Sequence, residues 1–228
     1  MHIILSVGGS AINPNGEPDL NFLKTMAQII KKSKNSFGIL TGGGSLARVH
    51  ANTVRKLGGS EYEADQIAIA STRQNAQLMI AALKGAGVKT CGNVLTSFDN
   101  AAEHATENKV VVMGGTIPGI TTDADAVLLA EAIGAKKLVN ISNVDAIYDS
   151  DPRKNPKAKK YTIMDYDQLN KLAAESDTRK AGMHFVFDML ACKLIARSGI
   201  ETHFVSGNKM NDVTNAIEGK KHSGTIVK

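Results

Sequence analysis

The sequence predicts an α/β fold, a three-layer αβα sandwich around a largely parallel central sheet. Three observations carry that expectation: apolar runs alternate with helical stretches along the 228 residues, three of those runs end in glycine-rich turns, and no internal repeat or low-complexity tract breaks the alternation. Strands joined through helices run parallel and are covered on both faces, with ligands gathering beyond their carboxyl ends.

Each element has its own justification. Residues 2–7 (HIILSV) read as a buried strand ending in Gly8-Gly9-Ser10, and a loop follows through Asn13-Pro14-Asn15-Gly16. Asp19 can cap a helix whose apolar face is Leu20, Leu23, Ala27 and Ile30, with Lys31, Lys32 and Lys34 at its end, where the helix dipole favours cations. Residues 37–40 form a second strand, delivering Thr41-Gly42-Gly43-Gly44-Ser45 to a helix through Arg48 and His50. A long helix over 61–84 is expected to turn Ile67, Ala70 or Ser71, Leu78 and Ala81 to one side, with Gly85 and Gly87 past its end.

The alternation resumes at 109–113, a strand followed by the loop Gly114-Gly115-Thr116-Ile117-Pro118-Gly119, a helix over 122–133 stopped by Gly134, and a strand at 137–142. Residues 143–160 carry Asp149-Ser150-Asp151-Pro152 and a basic tract, and read as an excursion or hairpin over the site and a candidate lobe boundary. A short helix near 165–174, a loop to Gly182, a helix at 187–198 ended by Gly199, a strand at 202–205, a helix from 211 and a strand at 225–227 complete the chain.

Composition narrows the function. Hydrophobic residues at 43% and charged residues at 21% indicate a globular chain with a core. Aromatics at 4%, without Trp, argue against a base-stacking single-strand binder. The net charge of +5 would attract phosphorylated ligands, nucleic acid or a membrane surface without choosing among them. Cys91 and Cys192 form no metal or disulfide framework, and no signal peptide or membrane span is legible, so the expected home is the reducing cytoplasm.

The chemistry concentrates in the turns. Glycines at three strand ends let backbone N–H groups approach phosphate oxygens, and a helix N-terminus adds positive potential. One such turn alone would only reverse the chain, but three point to a polyphosphate or to two phosphorylated ligands. Neither G-x-x-x-x-G-K-[ST] nor a G-x-G-x-x-G after the first strand occurs, which disfavours a P-loop NTPase and a plain Rossmann dehydrogenase. Arg48, one turn into the helix after the triple glycine, reads equally as a phosphate clamp or a solvated cation. Asp65 would suit a ribose hydroxyl or a helix cap, the cap being favoured. Thr121-Thr122-Asp123-Ala124-Asp125 is a capping cluster that directly follows the third turn. Asn143, Asp145, Tyr148 and Asp151 could edge a nucleoside or a metal-linked phosphate, or simply line a polar hairpin. His50 and His184 lack partners at ligand spacing, Met79 and Met113 read as core, and the cations from Arg153 to Lys160 as a solvated stretch.

From Ile3 to Val227 the sequence resembles the amino acid kinase superfamily, and within it the archaeal type of uridylate (UMP) kinase. The carriers are Val7-Gly8-Gly9-Ser10, the run from Thr41 to Arg48, the run from Met113 to Asp123, the run from Ser142 to Pro152, and that from Lys193 to Ile200. The resemblance implies ATP across Gly9, Ser10, Gly44 and Arg48 at its phosphates and Ser142, Asn143, Tyr148 and Asp151 at its nucleoside. It implies UMP at Gly43, Asp65 and the loop Thr116, Ile117, Pro118, Gly119, Ile120, Thr121 and Thr122. Arg48, Asp123 and Asp188 would form the catalytic group. It further implies an acceptor lobe over about 1–135, an ATP lobe over about 136–228, dependence on Mg2+, and a homohexamer without nucleic-acid or membrane partners.

Two positions depart from the pattern. Ser6 stands where many members carry a lysine contacting the transferring phosphate, with Lys180 and Lys193 as conceivable substitutes, and Ala146 replaces the usual glycine after Asn143-Val144-Asp145. The alternatives are another small-phosphate kinase, such as an isopentenyl phosphate kinase, whose acceptor histidine would be sought near His50, and a non-catalytic nucleotide-binding sensor, which Ser6 invites. A nucleic-acid binder ranks third.

Overall fold

The structure is a computed structural model that describes residues 1–150, 152, 155–178 and 187–228. Strand β1 (His2–Val7) runs into a single helical turn, α1 (Gly9–Ile12), and α2 (Leu20–Lys32) leads to β2 (Ser36–Thr41). Helices α3 (Gly44–Lys56), α4 (Glu61–Gly85) and α5 (Phe98–Glu107) precede β3 (Val110–Met113), then α6 (Thr122–Ala132) and β4 (Lys137–Ser142). A hairpin of β5 (Ile147–Tyr148) and β6 (Lys160–Tyr161) is followed by β7 (Ile163–Met164), α7 (Tyr166–Thr178), α8 (Met189–Ser198), β8 (Glu201–Ser206), α9 (Met210–Glu218) and β9 (Thr225–Val227).

Seven strands form one sheet in the order β3-β2-β1-β4-β8-β9-β7. All pairs are parallel except β8 with β9. Side chains alternate across it with the strand period of two. Ile4, Leu40, Val111 and Leu138 pack one core against α5 to α8, whereas Ile3, Leu5, Ile39, Val112 and Val139 pack the other against α2, α4 and α9. The expected three-layer sandwich follows, its strands buried on both faces.

Local chemistry sets the helix starts. Asp19 accepts from Phe22 N at 2.9 Å, and Ser97 caps α5. Ser60 and Glu63 form a reciprocal capping box at the head of α4. Asp65 is therefore not the cap.

The structure differs from the sequence reading in four places. Helix α5 lies in a stretch given no element, because its buried residues are only Ala101 and Ala105. Strand β7 is too short to carry a pattern and exists through its pairing with β9. Leu20, placed on the apolar stripe of α2, is exposed. In α4 the expected face holds only in part: Ser71 is buried and Leu78 packs partly against the core, but Ile67, Ala70 and Ala81 are exposed, and Ala64, Thr72, Asn75, Ala76, Met79, Ile80 and Leu83 complete the buried side. The hydrophobic periodicity misleads there because Thr72 and Asn75 face inward to bond the glycine turns. Ala146 is fully buried, and among the described residues none other than glycine takes positive φ, so alanine fits the backbone at that departure from pattern.

Candidate active site

The glycine turns end β1, β2 and β3 at one rim of the sheet, and two of them touch backbone to backbone. A Cβ on Gly9 would fall on Gly44 N and lie 2.5 Å from Gly43 C, and one on Gly44, whose φ is +66°, would lie 2.7 Å from Gly9 C. No side chain fits between them, so glycine is dictated at both positions by contact, and at Gly44 by conformation as well.

Helix α4 pins the turns from behind. Thr72 Oγ1 accepts from Gly115 N at 2.7 Å, and Arg73 donates to the carbonyls of Gly115 and Thr116, both at 3.1 Å. Asn75 Nδ2 donates to Gly42 O at 2.7 Å while its Oδ1 accepts from Asn13 Nδ2 at 2.5 Å. Asp125, wholly buried, accepts from Thr116 N at 3.0 Å and from its hydroxyl at 2.7 Å. Burial raises the Asp125 carboxyl, and the Thr116 hydrogen bonds oppose that shift. Sequence reasoning missed Asn13, Thr72, Arg73, Asn75 and Asp125 as site residues; the available signal was polar side chains on the inner side of a helix, which burial tolerates only when they are bonded.

These elements enclose a cleft of about 540 Å³ whose wall includes Gly9, Ser10, Gly43, Gly44, Arg48, Asp65, Ile117, Ile120, Thr121, Thr122, Asp123 and Ser142. Thr116 and Pro118 line a neighbouring cavity of about 650 Å³ on the outer side of the same loop. Gly119 enters through its N–H, donated to Asp65 Oδ2 at 2.8 Å. Asp65 thereby ties α4 to the loop instead of capping the helix. Among the described residues of the cleft wall, Arg48 is the one cationic side chain.

Asp123 lies in the cleft wall, and Asp188, near enough for its charge to act on Asp123, lies outside that wall. Ser6 Oγ donates to Asp123 Oδ1 at 3.1 Å, and Asn140 Nδ2 reaches the same oxygen at 3.3 Å. Thr121 caps α6 by accepting from Ala124 N at 3.2 Å, and its hydroxyl donates to Asp188, which itself caps α8 through Ala191 N at 2.9 Å. Burial first, and then the charge of Asp188, push the Asp123 carboxyl up to about 7. Burial, Asp188 and Asp123 push the Cys192 thiol to about 12, leaving it unreactive at neutral pH.

Asn143 and Tyr148 lie beyond this wall. Tyr148 donates to Asp145 at 2.9 Å, and Lys160 and Lys209 approach the same carboxylate at 3.2 and 2.9 Å. Burial would raise Asp145, but these hydrogen bonds outweigh it and hold it at about 2. Lys160 thus leaves the solvated stretch expected for it. Asp151, Lys180 and His184 fall outside the described residues. Lys193 is exposed on α8 and is not part of the wall, and His50 is half-buried against Ser71.

The arrangement offers backbone donors at the N-terminus of α3, one guanidinium and the Asp123 carboxyl in one cleft, a layout suited to binding phosphates. Comparison with known proteins agrees with that chemistry. Residues 1–206 match the model of the amino acid kinase family. The uridylate kinase of Thermococcus onnurineus is 42% identical, covering 100% of this chain and 99% of its own. That of Archaeoglobus fulgidus is 40% identical over the full length of both. The crystal structure of the Archaeoglobus fulgidus uridylate kinase superposes with a TM-score of 0.86 at 37% identity, covering 100% of each chain. The UMP kinase structure from Bacillus anthracis, at 19% identity and a TM-score of 0.83 over 100% of this chain and 95% of its own, shares the fold. By its matching family model and its full-length relatives, the chain belongs to the amino acid kinase family.

Proposed function

We propose that this chain is a uridylate kinase, transferring the γ-phosphoryl group of ATP to UMP to give ADP and UDP. The observation that carries the reading is the cleft itself, in which two glycine turns meet backbone to backbone beside Arg48, with Asp65 holding the loop of residues 116–122 at the end assigned to the acceptor. An oxygen of the UMP phosphate attacks the γ-phosphorus in line, and the bond to the β–γ bridging oxygen breaks, its electron pair leaving with ADP. A phosphate monoester is mostly dianionic at neutral pH, so no general base is required. The burden falls on positioning and on neutralising the equatorial oxygens.

Gly9, Ser10, Gly44 and Arg48 hold the ATP phosphates in this reading, with Ser142, Asn143, Tyr148 and Asp151 toward the nucleoside; Gly43, Asp65 and residues 116–122 hold UMP. Asp123 and Asp188 face the transferring group. Among the described residues no three His, Cys, Asp or Glu side chains gather as a metal cage. Magnesium carried in with ATP would add positive charge to that of Arg48 beside the phosphates. The division at about residue 135 into acceptor and ATP lobes is supported by the sheet, in which β1 to β3 and the strands from β4 onward meet only at the β1–β4 pair. A homohexamer is supported by the apolar Val49, Leu57, Tyr62 and Ile67, all exposed on the α3–α4 hairpin. Unpaired Cys91 and Cys192 suit a cytoplasmic enzyme.

The test is an ADP-release assay with Mg–ATP and UMP, CMP, dTMP, AMP, isopentenyl phosphate or N-acetylglutamate as acceptor, with UDP identified directly. UMP-dependent turnover is expected. Turnover with another acceptor alone, or binding of both nucleotides without product, would overturn the assignment, the latter making the chain the sensor that Ser6 invites.

A further inference from the structure

Ser6 and Asn140 are register partners on the adjacent parallel strands β1 and β4. Both are at least nine-tenths buried, both line the cleft, and both direct a donor at the same oxygen, Asp123 Oδ1. The amide oxygen of Asn140 is fully buried and has no hydrogen-bond partner among the described residues. Asp123 Oδ2 accepts no hydrogen bond among them either. The cleft floor therefore holds a carboxyl group between two neutral side chains, at the place where the resemblance leads one to expect a lysine.

We propose that Asp123 takes up a proton from solvent as the phosphates enter the cleft, and that Asn140 is the positioning residue that makes both states of the carboxyl acceptable. This deepens the kinase reading and rests on it.

A carboxamide is matched to such a change and a lysine is not. Its N–H₂ donates to the carboxylate, and a half-turn of the amide presents its oxygen to the carboxylic acid. Ser6 has the same freedom, since a hydroxyl both donates and accepts. The groups facing Asp123 do not all act alike: Asp188 on α8 favours uptake and the acidic Asp65 lines the cleft from α4, Arg48 on α3 opposes uptake, the Cys192 thiol on α8 stays neutral, and Asp125 is turned away to Thr116. Two phosphorylated ligands add several negative charges beside a carboxyl that burial has already pushed up, and like charge favours its neutral form. The acquired proton removes one negative charge from the floor and supplies an O–H donor where the phosphates meet.

The test measures protons taken up on adding Mg–ATP, and then UMP, at pH 8 by calorimetry in buffers of differing ionisation enthalpy. The wild-type protein is expected to take up a measurable fraction of a proton, Asp123→Asn none, and Asn140→Leu clearly less than wild type. Equal uptake in wild type and Asp123→Asn, or none in a wild type that binds, overturns the proposal, whereas absence of turnover with every acceptor overturns only the kinase reading. A second readout is free of ligand: the carbon-13 carboxyl titration of Asp123. A midpoint in the neutral range that shifts in Asn140→Leu supports the proposal, and an ordinary carboxylate midpoint in both proteins overturns it.

Discussion

Asp123 links stability and chemistry in one side chain. Its carboxyl is pushed up to about 7 in the fold and titrates near 4 when unfolded, so the folded state binds the proton more tightly between those values. Stability contributed by this group is full below pH 4, falls as pH rises toward 7, and is lost above it. Asp123→Asn is expected to be more stable than wild type at pH 8, by an amount on the order of a few kcal/mol, and to show no such gain at pH 4. Thermal melts of both proteins at the two pH values check this, and equal melting differences would show that the carboxyl is not shifted. Arg48→Ala should leave the melt unchanged and lower kcat by roughly 10²–10³, the usual loss when one charge-stabilising donor is removed. An unchanged kcat would remove Arg48 from the chemistry. At Asp65, the alanine variant should raise the KM for UMP far more than that for ATP, since its carboxylate holds Gly119 N–H at the acceptor loop. The carboxamide introduced by Asp65→Asn would keep an acceptor for that N–H, so this second variant separates loop anchoring from charge.

At the scale of elements, α4 does more than cover a sheet face. Asn75→Leu would strand both Gly42 O and Asn13 Nδ2 in the interior, at about 1–3 kcal/mol for an orphaned group. A fall in Tm of about 2–4 °C for each kcal/mol lost is expected for a chain of this size, together with weakened binding of both nucleotides; scanning calorimetry and titration calorimetry read the two effects. The sequence made strand–turn–helix order legible because glycines, caps and apolar runs are local signals. The three turns and Arg48 stand out that way. What it hid were the partners: Thr72, Asn75 and Asn140 look like ordinary polar residues until the fold turns the first two toward the backbone of Gly115 and Gly42 and the third toward the Asp123 carboxyl. Helix α4 reads with a partly wrong face for the same reason, since a bonded Asn inside and an exposed Ile67 outside invert the simple pattern. Helix α5 escapes because two buried alanines give too little contrast to register as a stripe.

At the scale of the whole molecule, the sheet joins its two halves through β1 alone, paired with β2 on one side and β4 on the other. The outer face of the α3–α4 hairpin carries Leu57 and Tyr62 at 82% and 61% exposure, apolar area that a second copy would cover. Sedimentation of the wild-type protein should therefore give a mass several times that of one chain, and Ile67→Glu combined with Tyr62→Lys should reduce it. A monomeric wild type would refute that use of the face.

The central place of β1 bears also on how the protein is made. Strand β1 can pair with β2 once both have been made, but its second edge waits for β4, more than a hundred residues after β1 in the chain. Until then β1 keeps a bare strand edge, the kind of surface on which unfinished chains adhere to one another. The floor of the cleft is thus closed by the same late pairing that ends this exposure, so a chain arrested before residue 142 would be both aggregation-prone and without a site.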